Sequence, residues 1–193
     1  MERKILLALS TLLFAVMSVH AQNVAVKTNL LYDATATVNV GVEFGMAPRW
    51  TFDLSGNLNA WQVNEGKWKH WLVQPEFRYW FCDRFQGHFL GAHLIGAAYN
   101  VGYIPNNIKF LGKDYSVLTD YRYQGYAYGG GLAYGYAIPL SRHWNLELEL
   151  GVGYIYTEYD KFECEGCGKK VAERVPMHYV GPTKGAISIV YVF

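Results

Sequence analysis

The stretch "NLELELGVGYIY", residues 145–156, alternates two kinds of side chain with a period of two. Leucine, valine and tyrosine occupy the even positions from Leu146 to Tyr156, whereas asparagine, glutamate and glycine occupy the odd positions from Asn145 to Gly153. Successive residues of a β-strand point to opposite faces, so this pattern predicts a strand with one apolar face and one polar face. A helical period is absent from the stretch.

The same alternation recurs in "NVGVEFGM", residues 39–46, and in "GYAYGGGLAYGYAIPL", residues 125–140. Segments of about ten residues with apolar side chains on one face and small or polar ones on the other are typical of transmembrane β-barrels. Aromatic residues make up 17% of the chain, as the aromatic girdles of such barrels require. The pattern therefore predicts an all-β chain that crosses a membrane as a closed antiparallel barrel.

The first residues predict export. Arg3 and Lys4 precede an apolar run over residues 5–19, and Ala21 fits a small-residue cleavage site. We therefore expect a signal peptide over residues 1–21 and one β-barrel domain over residues 22–193, located in the bacterial outer membrane. The balance of 17 basic against 16 acidic residues argues against nucleic acid as a partner.

The alternation predicts eight strands, an even number of the kind that single-chain barrels have. Their predicted ranges are 26–33, 37–46, 50–61, 71–81, 88–103, 125–140, 144–159 and 178–193. The first hairpin is the weakest element, because its turn near residues 33–35 lacks a glycine or proline signal. If residues 28–33 only lead into the barrel, the count falls to seven. A soluble β-sandwich or a lipocalin-like barrel is the alternative.

The connections between strands alternate in length. Residues 47–49, 82–87 and 141–143 form tight turns, whereas residues 62–70, 104–124 and 163–177 read as long polar loops. Short turns of outer-membrane barrels lie on the periplasmic side and long loops lie outside the cell. We therefore expect the long loops to form the outer surface.

The chain ends in "KGAISIVYVF", residues 184–193, with apolar side chains at alternate positions. Ile189, Tyr191 and Phe193 are predicted to face lipid, and the terminal aromatic resembles the signal that the outer-membrane assembly machinery reads. The expected partners of this segment are outer-membrane lipid and that machinery.

Several long stretches together resemble one known family. They are "KTNLLYDATATVNVGVEFG", "KWKHWLVQPEFRYWF", "GHFLGAHLIGAAYNVG", "YRYQGYAYGGGLAYGY", "RHWNLELELGVGYIYTEYDKFECEGCG" and "GPTKGAISIVYVF". They are similar to outer-membrane β-barrels of Bacteroides-type bacteria that are catalogued as a domain of unknown function. The resemblance implies an eight-stranded barrel, sometimes encoded near fimbrial or surface-glycan genes. It implies no established activity, so it carries over no catalytic residues.

The strongest candidate site is a set of charged residues predicted to face the lumen: Lys27, Asp33, Glu43, Asp53, Glu76, Arg78, Glu147 and Glu149. An eight-stranded barrel has room inside only for side chains, so these groups are expected to form a hydrogen-bonded plug. Glu76 and Arg78 are expected to pair across strands rather than with each other. Six acids then face two bases, an excess that requires protonation, solvent, a cation or Arg122.

Two other groups of residues have ordinary structural interpretations. Cys164 and Cys167 form a CxxC in a loop, which in an exported protein predicts a local disulfide, with a metal site or redox activity as alternatives. Cys82 falls in a predicted periplasmic turn, too far away to join them. Trp68 and Trp71 are expected in an outer loop, as girdle residues or as a platform for carbohydrate.

The sequence thus predicts a non-enzymatic outer-membrane barrel that needs no cofactor. We expect it to act structurally or through its surface loops, in envelope integrity, adhesion or assembly of surface appendages, with a surface protein or glycan as partner. One alternative is a narrow channel for ions or small solutes that uses the acidic lumen. Another is an enzyme that modifies outer-leaflet lipid.

Overall fold

The computed structural model describes residues 24–60, 62–63, 66–102, 109–110, 113–114, 121–163 and 170–193. The predicted signal peptide and both cysteines of the predicted loop disulfide, Cys164 and Cys167, lie outside the described residues. Within the described ranges, no helix combines the length and the apolar character that a membrane-spanning helix requires.

Eight strands make up most of the structure. They are β1 Val24–Asn29, β2 Val38–Ala47, β3 Trp50–Asn59, β4 Gly66–Trp80, β5 Gly87–Gly102, β6 Arg122–Pro139, β7 Trp144–Phe162 and β8 Lys170–Val192. One helical turn, α1 Leu30–Asp33, follows β1. Two-residue strands occur at Gln62–Val63, Lys109–Phe110 and Lys113–Asp114.

The eight strands form a ring in which neighbours along the chain pair antiparallel. The ring is closed at β1, whose Lys27 lies opposite Gly41 of β2 on one side and Val190 of β8 on the other. The predicted all-β class and the count of eight antiparallel strands are confirmed, and β1 belongs to the ring. The prediction that the first strand continues to residue 33 was wrong, because Asn29 caps a helical turn by accepting a hydrogen bond from the Leu31 N–H at 3.1 Å.

The strands differ in length, which makes one side of the wall taller than the other. β1, β2 and β3 have 6, 10 and 10 residues, whereas β4 to β8 have between 15 and 23. Parts of the predicted long loops are strand, since β4 begins at Gly66, β6 at Arg122 and β8 at Lys170. Backbone hydrogen bonds between strands need no apolar side chain. These strand extensions have polar sequences, so the alternation of apolar residues did not predict them.

The two ends of the ring are different. The short-turn end carries the turns 48–49, 81–86 and 140–143, close to the predicted positions, and both Val24 and Phe193 lie there. An apolar cluster fills the interior near this end, formed by Ala25, Trp80, Phe85, Phe89, Ala137 and Val190. The opposite end, where β4 to β8 extend furthest, is the long-strand end.

The pairing between β1 and β8, which closes the ring and which we call the seam, is short. β8 pairs with β7 along nearly its whole length, but with β1 only up to Ser188, opposite Asn29. The side chain of Asn29 extends this pairing, because its Nδ2 donates to the Gly185 carbonyl at 3.1 Å and its Oδ1 accepts from the Ile187 N–H at 3.2 Å. One amide side chain thus takes the place of the next peptide group of β1.

Replacing Asn29 by alanine removes both of these hydrogen bonds and the helix cap. We expect Asn29→Ala to lower the free energy of unfolding by about 1–2 kcal/mol, measured by urea titration of the folded protein. Asn29→Asp retains the acceptor and loses the donor to Gly185, so its loss should be smaller. Equal stability of Asn29→Ala and the unaltered chain would contradict this account of the seam.

Candidate functional site

A cluster of charged side chains occupies the interior of the ring above the apolar cluster. Seven of the eight residues predicted for the lumen are buried in it: Lys27, Glu43, Asp53, Glu76, Arg78, Glu147 and Glu149. They come from β1, β2, β3, β4 and β7, at positions where the alternation of each strand directs side chains inward. We call this set, together with Lys184, the lumen cluster.

Arg78 is the hub of the lumen cluster. Its Nε lies 2.6 Å from Glu76 Oε1, and its Nη1 lies 2.8 Å from Glu43 Oε2. Nη1 also lies 3.0 Å from Glu147 Oε1, and Nη2 lies 2.8 Å from Glu149 Oε2. The planar guanidinium offers five N–H donors in fixed directions, so one residue binds carboxylates from three strands.

Lys27 forms a second centre of positive charge. Its Nζ lies 2.6 Å from Glu43 Oε2 and 3.3 Å from Asp53 Oδ1. The other oxygen of Glu43 accepts from the Thr51 hydroxyl at 2.5 Å, and that hydroxyl accepts from Trp80 Nε1 at 2.9 Å. Trp80 belongs to the apolar cluster, so hydrogen bonds join the polar and apolar layers of the interior.

Lys184 of β8 completes the lumen cluster, although the sequence analysis did not include it. Its Nζ lies 2.7 Å from Glu76 Oε2 and 3.1 Å from Glu149 Oε1. The sequence contains the pattern that predicts this position: the alternation that directs residues 187, 189, 191 and 193 outward directs Lys184 inward. With Lys184, three cations face five carboxylates, which removes much of the predicted acidic excess.

Three expectations about these charges differ from the structure. Asp33 lies in α1 outside the lumen cluster, exposed, and accepts from Thr28 Oγ1 at 2.9 Å and from Asn39 Nδ2 at 2.7 Å. Glu76 and Arg78 pair with each other as well as across strands, because their long side chains span the two-residue spacing on one face. Arg122 lies away from the cluster, with its guanidinium 4.2 Å from the Phe162 ring centre.

The lumen cluster is closely packed. A cavity of about 30 Å³ lies beside it, bordered by Asp53 and Asn57, and has room for about one water molecule. His93 continues the polar layer, with its Nε2 2.9 Å from Thr183 Oγ1 and its Nδ1 3.8 Å from Glu76 Oε2. Among the described residues, no group of three or more histidine, cysteine, aspartate or glutamate side chains is arranged so that it could hold a metal ion. The arrangement is suited to holding strands together.

A second cavity, of about 430 Å³, lies at the long-strand end, and we call it the outer cavity. The ends of β3 to β8 line it, with Asn59, Tyr99, Asn100, Tyr159 and Arg174 among the contributing residues. The Tyr99 hydroxyl lies 2.7 Å from Thr157 Oγ1. The predictions contained no cavity here, although most of its lining lies in predicted strands; only Lys69, His70, Gln124 and Arg174 fall in segments that were read as loops.

The remaining predicted residues have definite places. Trp71 lies in β4, not in a loop, and its side chain is exposed on the outer face. Tyr191 packs its ring 5.0 Å from both Trp144 and Phe193 at the short-turn end, and Phe193 donates its N–H to the Val24 carbonyl. Cys82 is free and exposed in the turn after β4.

The model of a protein family described as "Protein of unknown function (DUF3575)" matches residues 7–193. The chain belongs to this family. The match covers all eight ring strands of the DUF3575 chain and confirms the resemblance to a domain of unknown function. No curated protein and no solved structure matches the DUF3575 chain. Its origin in Bacteroides-type bacteria and an association with fimbrial genes stay predictions.

Replacing Arg78 by methionine keeps the length of the side chain and removes the charge. The carboxylates that it binds would then share only two cations, so we expect Arg78→Met to lower the free energy of unfolding of the DUF3575 chain by about 3–5 kcal/mol. Urea titration of the folded protein measures the change. Arg49→Met, at an exposed turn, is the matched control and should leave stability within about 0.5 kcal/mol.

Glycine in β5 leaves room for the lumen cluster. A Cβ at Gly91 would lie in steric conflict with the Glu76 carboxylate, whereas a Cβ at Gly96 of the same strand meets nothing within 4 Å. We expect Gly91→Ala to destabilise the protein by about 1–3 kcal/mol and Gly96→Ala to have no such cost. Thermal unfolding of the two variants side by side tests this, and equal melting temperatures would contradict it.

Proposed function

We propose that this chain is a transmembrane β-barrel of the bacterial outer membrane. The observation that carries the proposal is the inverted polarity of the ring, with charges inside and large apolar side chains outside. Leu132, Leu94 and Leu150 on the outer face are 68%, 64% and 64% exposed, while Arg78 and Glu43 are completely buried. A chain surrounded by water would gain nothing from this arrangement, whereas hydrocarbon favours it.

Aromatic side chains near both ends support the proposal. Trp50 and Tyr79 pack with ring centres 5.1 Å apart at the short-turn end. Tyr128 and Tyr156 pack at 5.2 Å on the outer face, further toward the long-strand end. Such pairs are suited to the two interfaces of a bilayer, with the short turns on the periplasmic side. In this orientation, Ile189, Tyr191 and Phe193 present the expected assembly signal, and residues 1–21 serve as the cleaved signal peptide.

The filled interior favours a scaffold over a channel. The apolar cluster and the lumen cluster lie one above the other, and Arg78 stacks on the Phe89 ring at 4.5 Å to join them. A conducting path would require these contacts to break, at the cost of leaving buried charges unpaired. We therefore propose a non-enzymatic barrel that supports envelope integrity, adhesion or appendage assembly through its outer end.

Fractionation of cells that produce the full-length chain tests the membrane proposal. We expect the protein in the outer membrane, with a band that migrates faster on a denaturing gel when unboiled than when boiled. The closed and tightly paired ring is the reason for the expected resistance to detergent. A soluble periplasmic protein without a heat-dependent shift would overturn the proposal.

Planar bilayer recordings separate the scaffold from the channel. The folded protein and the double variant Glu147→Gln/Glu149→Gln should both show no discrete conductance, and only the stability of the variant should change. A discrete conductance that the double variant alters would favour the channel and count against the plugged lumen.

A further inference from the structure

Strand β8 has a neighbour on only one side over much of its length. β7 pairs with it from Lys170 to Tyr191, whereas β1 pairs with it only between Ser188 and Val192. In the part of the chain that the structure describes, no other strand pairs with β8. The section of β8 between Ser188 and the long-strand end therefore forms an edge, although the ring is closed toward the short-turn end.

The pairing register shows which backbone groups point outward from this edge. In an antiparallel ladder, successive residues direct their N–H and C=O groups to the two neighbouring strands in turn. Val192 donates its N–H to the His143 carbonyl, so the odd residues of β7 are those that bond to β8. His178 and Val180 lie opposite even residues of β7. Their N–H and C=O groups therefore point away from β7, toward the side of β8 where the edge lies.

Two prolines of β8 support this assignment. Pro176 and Pro182 also lie opposite even residues of β7, so their nitrogen atoms point away from that strand. Proline has no N–H and occurs within sheets mainly where that group would face no partner strand. The Pro182 carbonyl accepts from the Tyr179 hydroxyl at 3.3 Å. We call the remaining backbone groups, which are two N–H donors of His178 and Val180 and the carbonyls of these residues and Pro176, the exposed edge.

The side chains of this section leave the exposed edge accessible. Val180 is 81% exposed. His178 is also exposed, and its Nδ1 lies 2.5 Å from the Tyr154 hydroxyl of the neighbouring strand β7. Side chains of a strand stand roughly perpendicular to the sheet, so neither of them covers backbone groups that point sideways within it. A second polypeptide backbone can therefore approach these groups directly.

The fold already contains one partner of this side of β8 beyond the last residue of β1. The Asn29 side chain donates to the Gly185 carbonyl at 3.1 Å and accepts from the Ile187 N–H at 3.2 Å. An amide side chain has the same donor and acceptor as a peptide group, so this side of β8 binds amide groups outside the β1 ladder. A further strand would continue the ladder that Asn29 ends.

The exposed edge lies beside a gap in the wall. Asn59 and Ala60 at the end of β3 and Arg174 of β8 line the same outer cavity. In the ring, β1 and β2 separate β3 from β8, but β1 ends at Asn29 and β2 begins at Val38. The wall is therefore lowest at β1 and β2. A strand on the exposed edge would fill part of this gap, with alternate side chains directed toward the outer cavity and toward the outside.

We infer that the exposed edge binds an extended segment of another polypeptide, which pairs with β8 as an additional strand of the wall. The main-chain groups of an edge strand supply hydrogen bonds to any extended segment, and pockets for alternate side chains supply specificity. A second copy in the same membrane suits the edge less, since antiparallel pairing of two β8 strands would invert one ring. The inference rests on the proposed function, because the edge faces outward only if the ring spans the outer membrane.

The test uses the chain folded in detergent, with folding verified by the heat-dependent gel shift. The probes are acetylated and amidated peptides of about seven residues, in which threonine and valine alternate and the central residue is phenylalanine, leucine, lysine or glutamate. NMR measures their binding and the hydrogen exchange of the His178 and Val180 amides. We expect at least one peptide to bind with a dissociation constant of about 1 mM or below and to slow the exchange of both amides.

Val180→Pro removes one donor of the exposed edge and should weaken peptide binding about tenfold. Val180→Thr is the matched control, because it changes the same side chain, keeps the N–H and should leave binding unaltered. If Val180→Pro loses the gel shift, His178→Pro, which removes the other donor, takes its place with the same expected loss.

A folded chain that binds none of the peptides overturns the inference and leaves the barrel proposal standing. Equal binding by the proline variant and the threonine control also overturns it. Slow exchange of both amides before any peptide is added would overturn it as well, because this chain itself or a second copy would then cover the edge. A chain without the gel shift overturns both proposals.

Discussion

The contacts of the Arg78 guanidinium are the interaction on which the rest of the structure depends. This one group, fully buried, binds carboxylates carried by β2, β4 and β7, which lie on different sides of the ring. A buried charge must be paired, and the carboxylates of β2 and β7 meet Arg78 only when the ring is closed. Closure of the ring therefore brings opposite charges from different strands together in the interior. Gly91 leaves room for the Glu76 carboxylate, and the side chain of Asn29 extends the short pairing between β1 and β8.

The same packing decides what the interior can do. The cavity beside the lumen cluster has space for about one water molecule. Toward the short-turn end, the apolar cluster also fills the interior. The unequal strands leave the outer cavity at the long-strand end.

Most of the fold was accessible from the sequence, and the failures have physical causes. The inward positions of Glu43, Glu147 and Glu149 follow from alternation within one strand. The strand ends were misjudged at both Leu30–Asp33 and Lys170, because a cap at Asn29 ends one strand early and backbone pairing extends another through polar sequence. Part of the wall of the outer cavity was not predicted, because it consists of strand extensions that were read as loops.

The sequence by itself determined the all-β fold class, the number of strands and the face of each strand that turns inward. A period of two in side-chain character is a local property of the chain, so it can be read from one stretch at a time. Only the tertiary structure decided which charges meet. The contacts of Arg78 with Glu43 and Glu147 and the entry of Lys184 depend on how strands distant in sequence align around the closed ring. Register across strands is a non-local property, and no single stretch of the chain contains it.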